Sequence, residues 1–424
     1  MFDRDLSRRE AMKLAVATGG ATALSACLSE ADEPVPRGTA PDELPVGQHR
    51  WNDFLARDDA GNHELPRHHV FLSLELDDGV PTDDDRAAVA SAMATLDRAY
   101  EWSHQGLLSS LAYTPAYFAR FDADLKYPLP EPRRLSAFET PEFDHQDALL
   151  HLASDRPDAL LEAEEALFGD RETMNGRAVD DPLAGVFSVV NRRTGFIGAG
   201  MPAERQGEVK GIPSGGPVPE DSPLFMGFMA GFRRNQATES AVTIDEGSFA
   251  GGTTKHLATI RQRLDDWYGE QGFDERVMEM FSPRHAERGL VEGAGANLGD
   301  FSGVDDEIVD TIREQARDYG RVGHAQKAAR ANRDSEGAPL LLRRHVESTD
   351  DGEASLHFPT LQTRIESFEA VREAMNGADL TDIPTIRQRV NNGILEYIFV
   401  KRRGNYLVPP RPLRALPTPT GDAD

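Results

Sequence analysis

The sequence contains a single cysteine, Cys27, among 424 residues, so an internal disulfide and a cysteine-based metal site are both excluded. Lysine is nearly absent as well: only six of the 46 basic residues are lysine, and the formal net charge is −26. Because nucleic acid is bound through a positive surface, we expect no nucleic-acid partner. After the N-terminal region, no apolar run approaches the roughly 20 residues that a membrane-spanning helix needs.

An excess of acidic residues with little lysine is typical of a protein that stays soluble in concentrated salt, because carboxylates hold water and ions. We therefore expect a halophilic surface rather than an acidic patch for a basic partner. The length and the hydrophobic content of 39% are sufficient for two or three domains, or for one large core with insertions.

Residues 1–27 have the features of a twin-arginine signal peptide. The Ser-Arg-Arg sequence at 7–9 resembles the export motif, and an apolar stretch through Ala26 supplies the hydrophobic region. This stretch ends in Leu-Ser-Ala-Cys, which resembles a lipobox and predicts lipid modification at Cys27. The alternative is an incidental cysteine in a cleaved peptide. We expect an exported protein, held at the outer face of the membrane through this lipid alone.

The rest of the chain divides into two mixed regions between polar segments. Residues 28–66 and 413–424 lack periodicity and are rich in Pro and charged residues, which predicts a disordered spacer and tail. Residues 67–192 predict a β-α-β-β-α-β order, which is ferredoxin-like, and residues 193–412 fit a second, more decorated domain of this kind. The expected class is α+β, with two ferredoxin-like domains whose antiparallel sheets carry helices on the outside.

Local patterns predict several of the elements. Residues 69–76 alternate between apolar and other side chains, which predicts a strand with one apolar face. Thr82 followed by Asp85 predicts the start of a helix, because a threonine hydroxyl caps free backbone N–H groups. Residues 224–232 and 355–362 also predict strands.

One stretch of the second region, GHAQKAARANRDSEGAPLLLRR, combines three features. His324 follows a predicted helix, alanines leave little bulk beside it, and an apolar run through Leu342 ends in Arg343 and Arg344. A haem site needs a neutral imidazole, an apolar surface and a cation. A lone histidine is also common as an ordinary hydrogen-bonding residue, and a leucine run ending in arginine is common in a strand that reaches solvent. The residues alone leave both interpretations open.

This stretch and others resemble the dye-decolourising peroxidase family. The similar segments are HLASDRPDALLEAEEAL (151–167), FAGGTTKHLATIRQRLDDWY (249–268), the stretch just described, LHFPTLQTRIESFEAVREAM (356–375) and NNGILEYIFVKRRGNYLVPP (391–410). The likeness spans roughly residues 66–412. It implies two ferredoxin-like domains, with one haem b per chain in the C-terminal domain.

The resemblance also implies roles for individual residues. His324 matches the proximal iron ligand, and Arg343 matches the distal arginine that polarises bound peroxide. Arg344 takes this place if the register shifts by one residue, and Leu342 belongs to the apolar wall of the cofactor site. Glu366 is the candidate for a carboxylate behind the iron ligand.

The sequence departs from the family at the distal loop. The family carries Gly-x-x-Asp-Gly, whereas TGFIGAGMP (194–202) has Gly198 and Ala199 in place of Asp-Gly. The carboxylate that carries the peroxide proton is absent, and such help is worth about 10²- to 10⁴-fold in rate. Three explanations stay open: Arg343 with an ordered water is sufficient, another acid replaces the aspartate, or haem is bound without fast peroxide chemistry. His345, next after the arginines, is a further candidate to line the pocket.

The sequence thus leads to one main hypothesis and two alternatives. The main hypothesis is a haem-dependent peroxidase that reduces hydrogen peroxide and oxidises small electron donors at the cell surface. The first alternative is a haem-binding or haem-carrier lipoprotein with little turnover, which the loss of aspartate at Gly198 favours. The second is a structural α+β lipoprotein without haem.

Overall fold

The computed structural model describes residues 33–77 and 79–421. The predicted signal peptide, the lipobox and Cys27 lie outside the described residues. Among the helices of the described part, none is long and apolar enough to cross a membrane.

The described residues form twelve strands and eleven α-helices. The strands are β1 (His68–Leu76), β2 (Leu108–Tyr113), β3 (Glu142–Phe143), β4 (Ala148–Ser154), β5 (Thr173–Met174), β6 (Arg177–Ala178), β7 (Phe187–Phe196), β8 (Thr253–Gln262), β9 (Leu342–Arg343), β10 (Val346–Ser348), β11 (Ser355–Gln362) and β12 (Ile398–Val408). The helices are α1 (Asp83–Ala99), α2 (Pro115–Phe118), α3 (Pro157–Leu167), α4 (Met201–Arg205), α5 (Leu264–Gly269), α6 (Phe273–Met280), α7 (Pro283–Glu287), α8 (Asp306–Asp310), α9 (Ile312–Tyr319), α10 (His324–Ala331) and α11 (Ile365–Ala374).

Most of these strands belong to one large antiparallel sheet, which closes on itself. The order is β10-β7-β1-β4-β2-β12-β8-β11, and β11 pairs with β10 again. The halves of the chain meet at two narrow antiparallel joins, Tyr113 with Leu407 and Phe196 with Glu347. They also meet where the short β3 runs parallel to β12. Strand β9 pairs with β11. The predicted mixed class with a large antiparallel sheet is confirmed.

The same spatial order occurs in both halves. In the first half, the fourth, first, third and second strands lie side by side as β7-β1-β4-β2, with α1 and α3 in the connections. In the second half, the corresponding order is β12-β8-β11-β9. The predicted boundary between residues 192 and 193 is wrong in position, because it falls inside β7, which pairs with β1 along its length.

The helices of the first half cover the outer face of the sheet. Val70, Leu72 and Leu74 of β1 pack against Val89 of α1 and Leu160 of α3 in one buried cluster. Burial of apolar surface contributes about 25 cal/mol per Å², so this layer is a main source of stability. The strand predicted at 69–76 and its apolar face are confirmed.

The inside of the closed sheet contains an apolar cluster as well. Phe71, Leu149, Leu257 and Tyr406 come from four different strands and form one cluster there. Strands β1, β2 and β4 are therefore buried on both faces along nearly their whole length, and their side-chain alternation separates two packed layers rather than a core from solvent.

Two further local predictions have opposite outcomes. Thr82 Oγ1 accepts a hydrogen bond from Asp85 N at 3.2 Å, and the Asp85 carboxylate accepts one from Thr82 N at 2.7 Å, so the predicted helix start is confirmed. The strand predicted at 224–232 is wrong. That segment is a mostly buried loop in which Phe225 is fully buried, since an apolar run alone does not supply a pairing partner.

The disordered spacer and tail are wrong for their described parts. In the segment 28–66, Trp51 is 1% exposed, and Gln48 Nε2 donates to the carbonyl groups of Leu111 and Pro409. In the segment 413–424, Leu416 is fully buried. A few apolar anchors at irregular spacing bury these segments, and irregular spacing leaves no periodic pattern in the sequence.

Candidate functional site

His324 is placed at the first residue of α10 by a tight connection. A Cβ added at Gly323 would lie 1.8 Å from the carbonyl oxygen of Phe281, so only glycine fits before the histidine. One turn into the helix, Lys327 Nζ donates to the carbonyl oxygen of Asn392 at 2.7 Å and to that of Met375 at 3.0 Å. This buried lysine ties α10 to the chain around it and fixes the start of the helix.

The imidazole of His324 has a buried nitrogen, Nδ1, that is not used in hydrogen bonding within the described part of the chain. Burial first, and then the nearby basic groups of Lys327 and Arg343, lower the pKa of His324 to about 3. The ring is therefore neutral near neutral pH, which is the form that binds metals.

A cavity of about 140 Å³ adjoins this ring. One wall comes from α10, where Ala325, Ala328 and Ala329 carry no bulk. The other apolar walls are formed by Met226, Phe228, Met280, Phe281, Leu356, Phe358 and Ile394. The arrangement places a neutral nitrogen ligand in an apolar space.

The polar side chains of the cavity come from one extended segment. Arg343, His345 and Glu347 all line it, because alternate residues of an extended chain point to the same side. The sequence predicts Arg343 through the resemblance and His345 as a candidate lining residue, but it does not predict Glu347. The spacing of Arg343, His345 and Glu347, each two residues from the next, was the signal that could have predicted Glu347 on the same side of an extended segment.

Arg343 is a cation without a carboxylate partner in the described part of the chain. Its Nε donates to Gln236 Oε1 at 3.3 Å, and its Nη2 donates to the carbonyl oxygen of Asn235 at 3.3 Å. Burial lowers the pKa of Arg343 to about 10, which leaves it charged at neutral pH. This positive charge is available to an anionic ligand.

Arg344 points to the opposite side of the segment. Its Nη2 lies 2.5 Å from Glu239 Oε1, its Nη1 donates to the carbonyl oxygen of His49 at 2.8 Å, and its guanidinium stands over Trp51. Leu342 packs with apolar residues of another cluster. The structure thus brings His324 and Arg343 together and leaves Leu342 and Arg344 outside this cavity, although both border the wider one described next.

That second, wider cavity of about 720 Å³ adjoins the first. Arg343 and His345 line both spaces, together with the loop residues Met229, Ala230 and Gly231. The two polar side chains therefore stand between the cavity beside His324 and the wider one.

Gly198 and Ala199 line the wider cavity, at the position of the missing aspartate. Gly198 has a φ of +139°, which L side chains rarely adopt, and a Cβ there would lie 3.4 Å from Met201 Sδ. Positions 198 and 199 carry no carboxylate, and the backbone angle at Gly198 is also unsuited to an aspartate.

The carboxylate suggested behind His324 is a wrong prediction. Glu366 is exposed on α11 and cannot serve the buried Nδ1. Glu347 lies in the cavity instead, where burial raises its pKa to about 8 and keeps it protonated near neutral pH. Its two oxygens accept hydrogen bonds from Phe225 N at 2.9 Å and Gln262 Nε2 at 2.7 Å.

Comparison with known proteins gives a family and a fold. Residues 66–410 match a family described as "Family of unknown function (DUF7405)". No curated protein matches the chain significantly.

Among solved structures, DyPB from Rhodococcus jostii RHA1 is 15% identical, with a TM-score of 0.54 over 85% of this chain and 99% of that one. A DypB variant from the same organism in complex with haem is 16% identical, with a TM-score of 0.53 over 88% and 99%. A dye-decolourising peroxidase from Bacteroides thetaiotaomicron is 15% identical, with a TM-score of 0.52 over 88% and 100%. At these identities the likeness shows a shared fold.

Proposed function

We propose, from the premise that this chain belongs to the family of unknown function DUF7405, that it is a haem-dependent peroxidase of the dye-decolourising type. It reduces hydrogen peroxide and oxidises small electron donors. One observation carries the proposal: His324 of α10 and Arg343 of β9 line the same apolar cavity, in a fold shared with dye-decolourising peroxidases. An imidazole ligand and a free cation at one apolar space are the protein groups that such chemistry needs.

The finer description of the fold belongs to the same proposal. We interpret the halves of the sheet as two ferredoxin-like units, with the haem site in the C-terminal one. The repeated spatial order β7-β1-β4-β2 and β12-β8-β11-β9 supports this interpretation, because it is the order of a β-α-β-β-α-β unit in both cases.

The residues of the cavity fit haem b in their chemistry. His324 offers a neutral nitrogen and has an unpartnered Nδ1, the alanines of α10 leave a surface free of bulk, and the remaining walls are apolar. The volume fits less well, since pockets for ligands of drug size hold about 300–1,000 Å³, against about 140 Å³ here. The adjoining cavity or a movement of the walls has to supply the rest.

When bound, haem supplies the electrons that reduce peroxide. His324 would hold the iron with its neutral imidazole. The Arg343 guanidinium stabilises negative charge on peroxide oxygen, and it does so strongly because the cavity walls exclude water. Removal of one such fixed donor from an enzyme site typically costs about 10²- to 10³-fold in rate.

The alternative is a haem carrier with little peroxidase turnover. The loop at Gly198 favours this function, because it lacks the aspartate and has a backbone angle that disfavours any side chain there. In this case His324 still binds iron, but peroxide reacts slowly. The spectrum of the wild-type protein with peroxide distinguishes the two functions.

The place of action is also a proposal. We propose export by the twin-arginine pathway and a lipid anchor at Cys27, which puts the protein at the cell surface, with hydrogen peroxide and a small reducing substrate as its partners. Palmitate or diacylglycerol labelling of the wild-type chain, with Cys27→Ser as control, tests the anchor.

The main test uses the full chain in concentrated salt, titrated with haemin. We expect a Soret band at one haem per chain in the wild type, its loss in His324→Ala, and no change in His145→Ala, whose side chain is 64% exposed. Arg343→Ala should keep the band but react with peroxide at least about 10²-fold more slowly.

The outcomes separate the candidates. A Soret band that does not respond to peroxide in the wild type supports the carrier and contradicts the peroxidase. A band that survives in His324→Ala removes this histidine as the ligand, and absence of any band in the wild type contradicts both haem functions.

A further inference from the structure

His345 is buried at the boundary between the two cavities. It is 7% exposed and lines both spaces, and its ring lies parallel to that of Phe358 with centroids 5.8 Å apart. Its Nδ1 is buried and has no hydrogen-bond partner among the described residues. A polar atom with a free lone pair or proton is thus held inside the site, next to Arg343.

An unpaired buried nitrogen is costly, so its presence needs a reason. Leaving such a group without a partner costs about 1–3 kcal/mol. Two histidines on strands have partners: His69 Nδ1 lies 2.9 Å from His151 Nε2, and His256 Nδ1 lies 2.7 Å from Asn405 Oδ1. Nδ1 of His68 is also unpaired within the described ranges, but that residue lines neither of the two cavities. The nitrogen of His345 has no such partner, which is expected of a group that pairs with a ligand.

We propose that His345 is the catalytic base that accepts the peroxide proton, in place of the aspartate that is missing at Gly198. This inference rests on the proposed peroxidase function and adds the proton carrier to it. The alternation of the segment presents His345 and Arg343 to the same space, so one residue takes the proton while the other stabilises the resulting anion.

The step balances in protons and electrons. A ring nitrogen of neutral His345 accepts one proton from hydrogen peroxide and leaves the hydroperoxide anion beside Arg343. The same proton would return to the oxygen that departs as water when the O–O bond breaks, and haem, when bound, would supply the electron pair for this cleavage. Two electrons and two protons from the small donor complete the turnover, so one peroxide becomes two waters and His345 ends neutral.

The charges that face His345 decide when it can hold a proton. Burial and the Arg343 cation lower the pKa of His345 to about 3, so the ring is neutral before peroxide enters and holds a proton only while an anion lies beside it. The hydroperoxide anion, once formed, favours the protonated ring, because an opposite charge nearby stabilises it. Glu347 is unsuited to the same task, since it is protonated near neutral pH and both of its oxygens already accept hydrogen bonds.

The experiment compares the haem-loaded full chain with His345→Ala, His345→Gln and the exposed control His145→Ala. Both His345 variants should retain haem content and the resting spectrum, and react with peroxide about 10²- to 10⁴-fold more slowly. Binding of hydrogen cyanide should also slow in both, because cyanide binds iron as an anion and its proton needs an acceptor. Added imidazole should accelerate His345→Ala, where the removed ring leaves space.

Three results would overturn the inference, and they differ from one another. Unchanged peroxide and cyanide rates in both variants show that the base is elsewhere. A resting spectrum that changes its spin state in His345→Ala shows that His345 is an iron ligand. A wild type that binds no haem overturns the proposed function, and this inference with it.

Discussion

Replacing Ala328 with leucine fills part of the cavity beside His324, and it is expected to stabilise the haem-free protein while it blocks haem binding. Ala328 lies one turn after His324 on the same face of α10 and lines the cavity. Loss of cofactor binding together with a gain in stability distinguishes a filled cavity from a damaged fold.

The magnitude follows from the size of the space. Leucine adds three carbon atoms to alanine, and about 0.8 kcal/mol per buried CH₂ gives at most about 2.4 kcal/mol. Filling the whole 140 Å³ at about 24 cal/mol per Å³ sets a ceiling of about 3 kcal/mol. Crowding against Phe358 opposes this by about 1–3 kcal/mol. With crowding at the low end of this range, we expect a net gain of about 1 kcal/mol in the free energy of unfolding.

Urea unfolding of the haem-free protein measures the first effect, and haemin titration measures the second. The matched control is Ala370→Leu on α11, which is exposed and should change stability by less than about 0.5 kcal/mol with normal haem binding. If Ala328→Leu binds haem with wild-type affinity, the cavity is not the space that the cofactor uses, and the site assignment is refuted.

Three further predictions concern charge. The net charge of −26 makes the acidic side chains repel one another. The free energy of unfolding should therefore rise between about 0.1 M and 1 M salt, because the Debye length falls from about 10 to 3 Å. A urea midpoint that stays constant over this range would argue against a salt-adapted surface. Arg344→Ala leaves the buried Glu239 carboxylate without its cation and should cost about 3–5 kcal/mol in urea unfolding, whereas a cost below about 1 kcal/mol would mean that the pair is not held in solution. Burial raises the pKa of Glu347 to about 8, against 4.5 in the unfolded chain, so the native state binds more protons between these two values. The free energy of unfolding therefore falls as pH rises through this window, by on the order of 4 kcal/mol. Glu347→Gln should flatten the dependence of the unfolding free energy on pH between about 5 and 8, and an unchanged slope would contradict the raised pKa.

Local features of the fold were predictable from the sequence. The strand at β1 and the capped start of α1 depend on residues within a few positions of one another, as Thr82 and Asp85 illustrate. For the same reason, the resemblance to a peroxidase family placed His324 and Arg343 in one site, since both lie in a single short stretch of sequence. Periodicity and motifs report what neighbouring residues do together.

The tertiary structure alone decided which residues face that site. Closure of the sheet depends on pairings between distant segments, such as Phe196 with Glu347, and no local pattern specifies them. The same pairings orient β9 and the segment that follows it, so that Arg343 and His345 face the cavity while Arg344 turns to Glu239. A shift by one residue reverses the side to which an extended chain presents each side chain. The sequence therefore determined the candidate residues, and long-range pairing determined which of them meet, because only the partner strands set which side is inward.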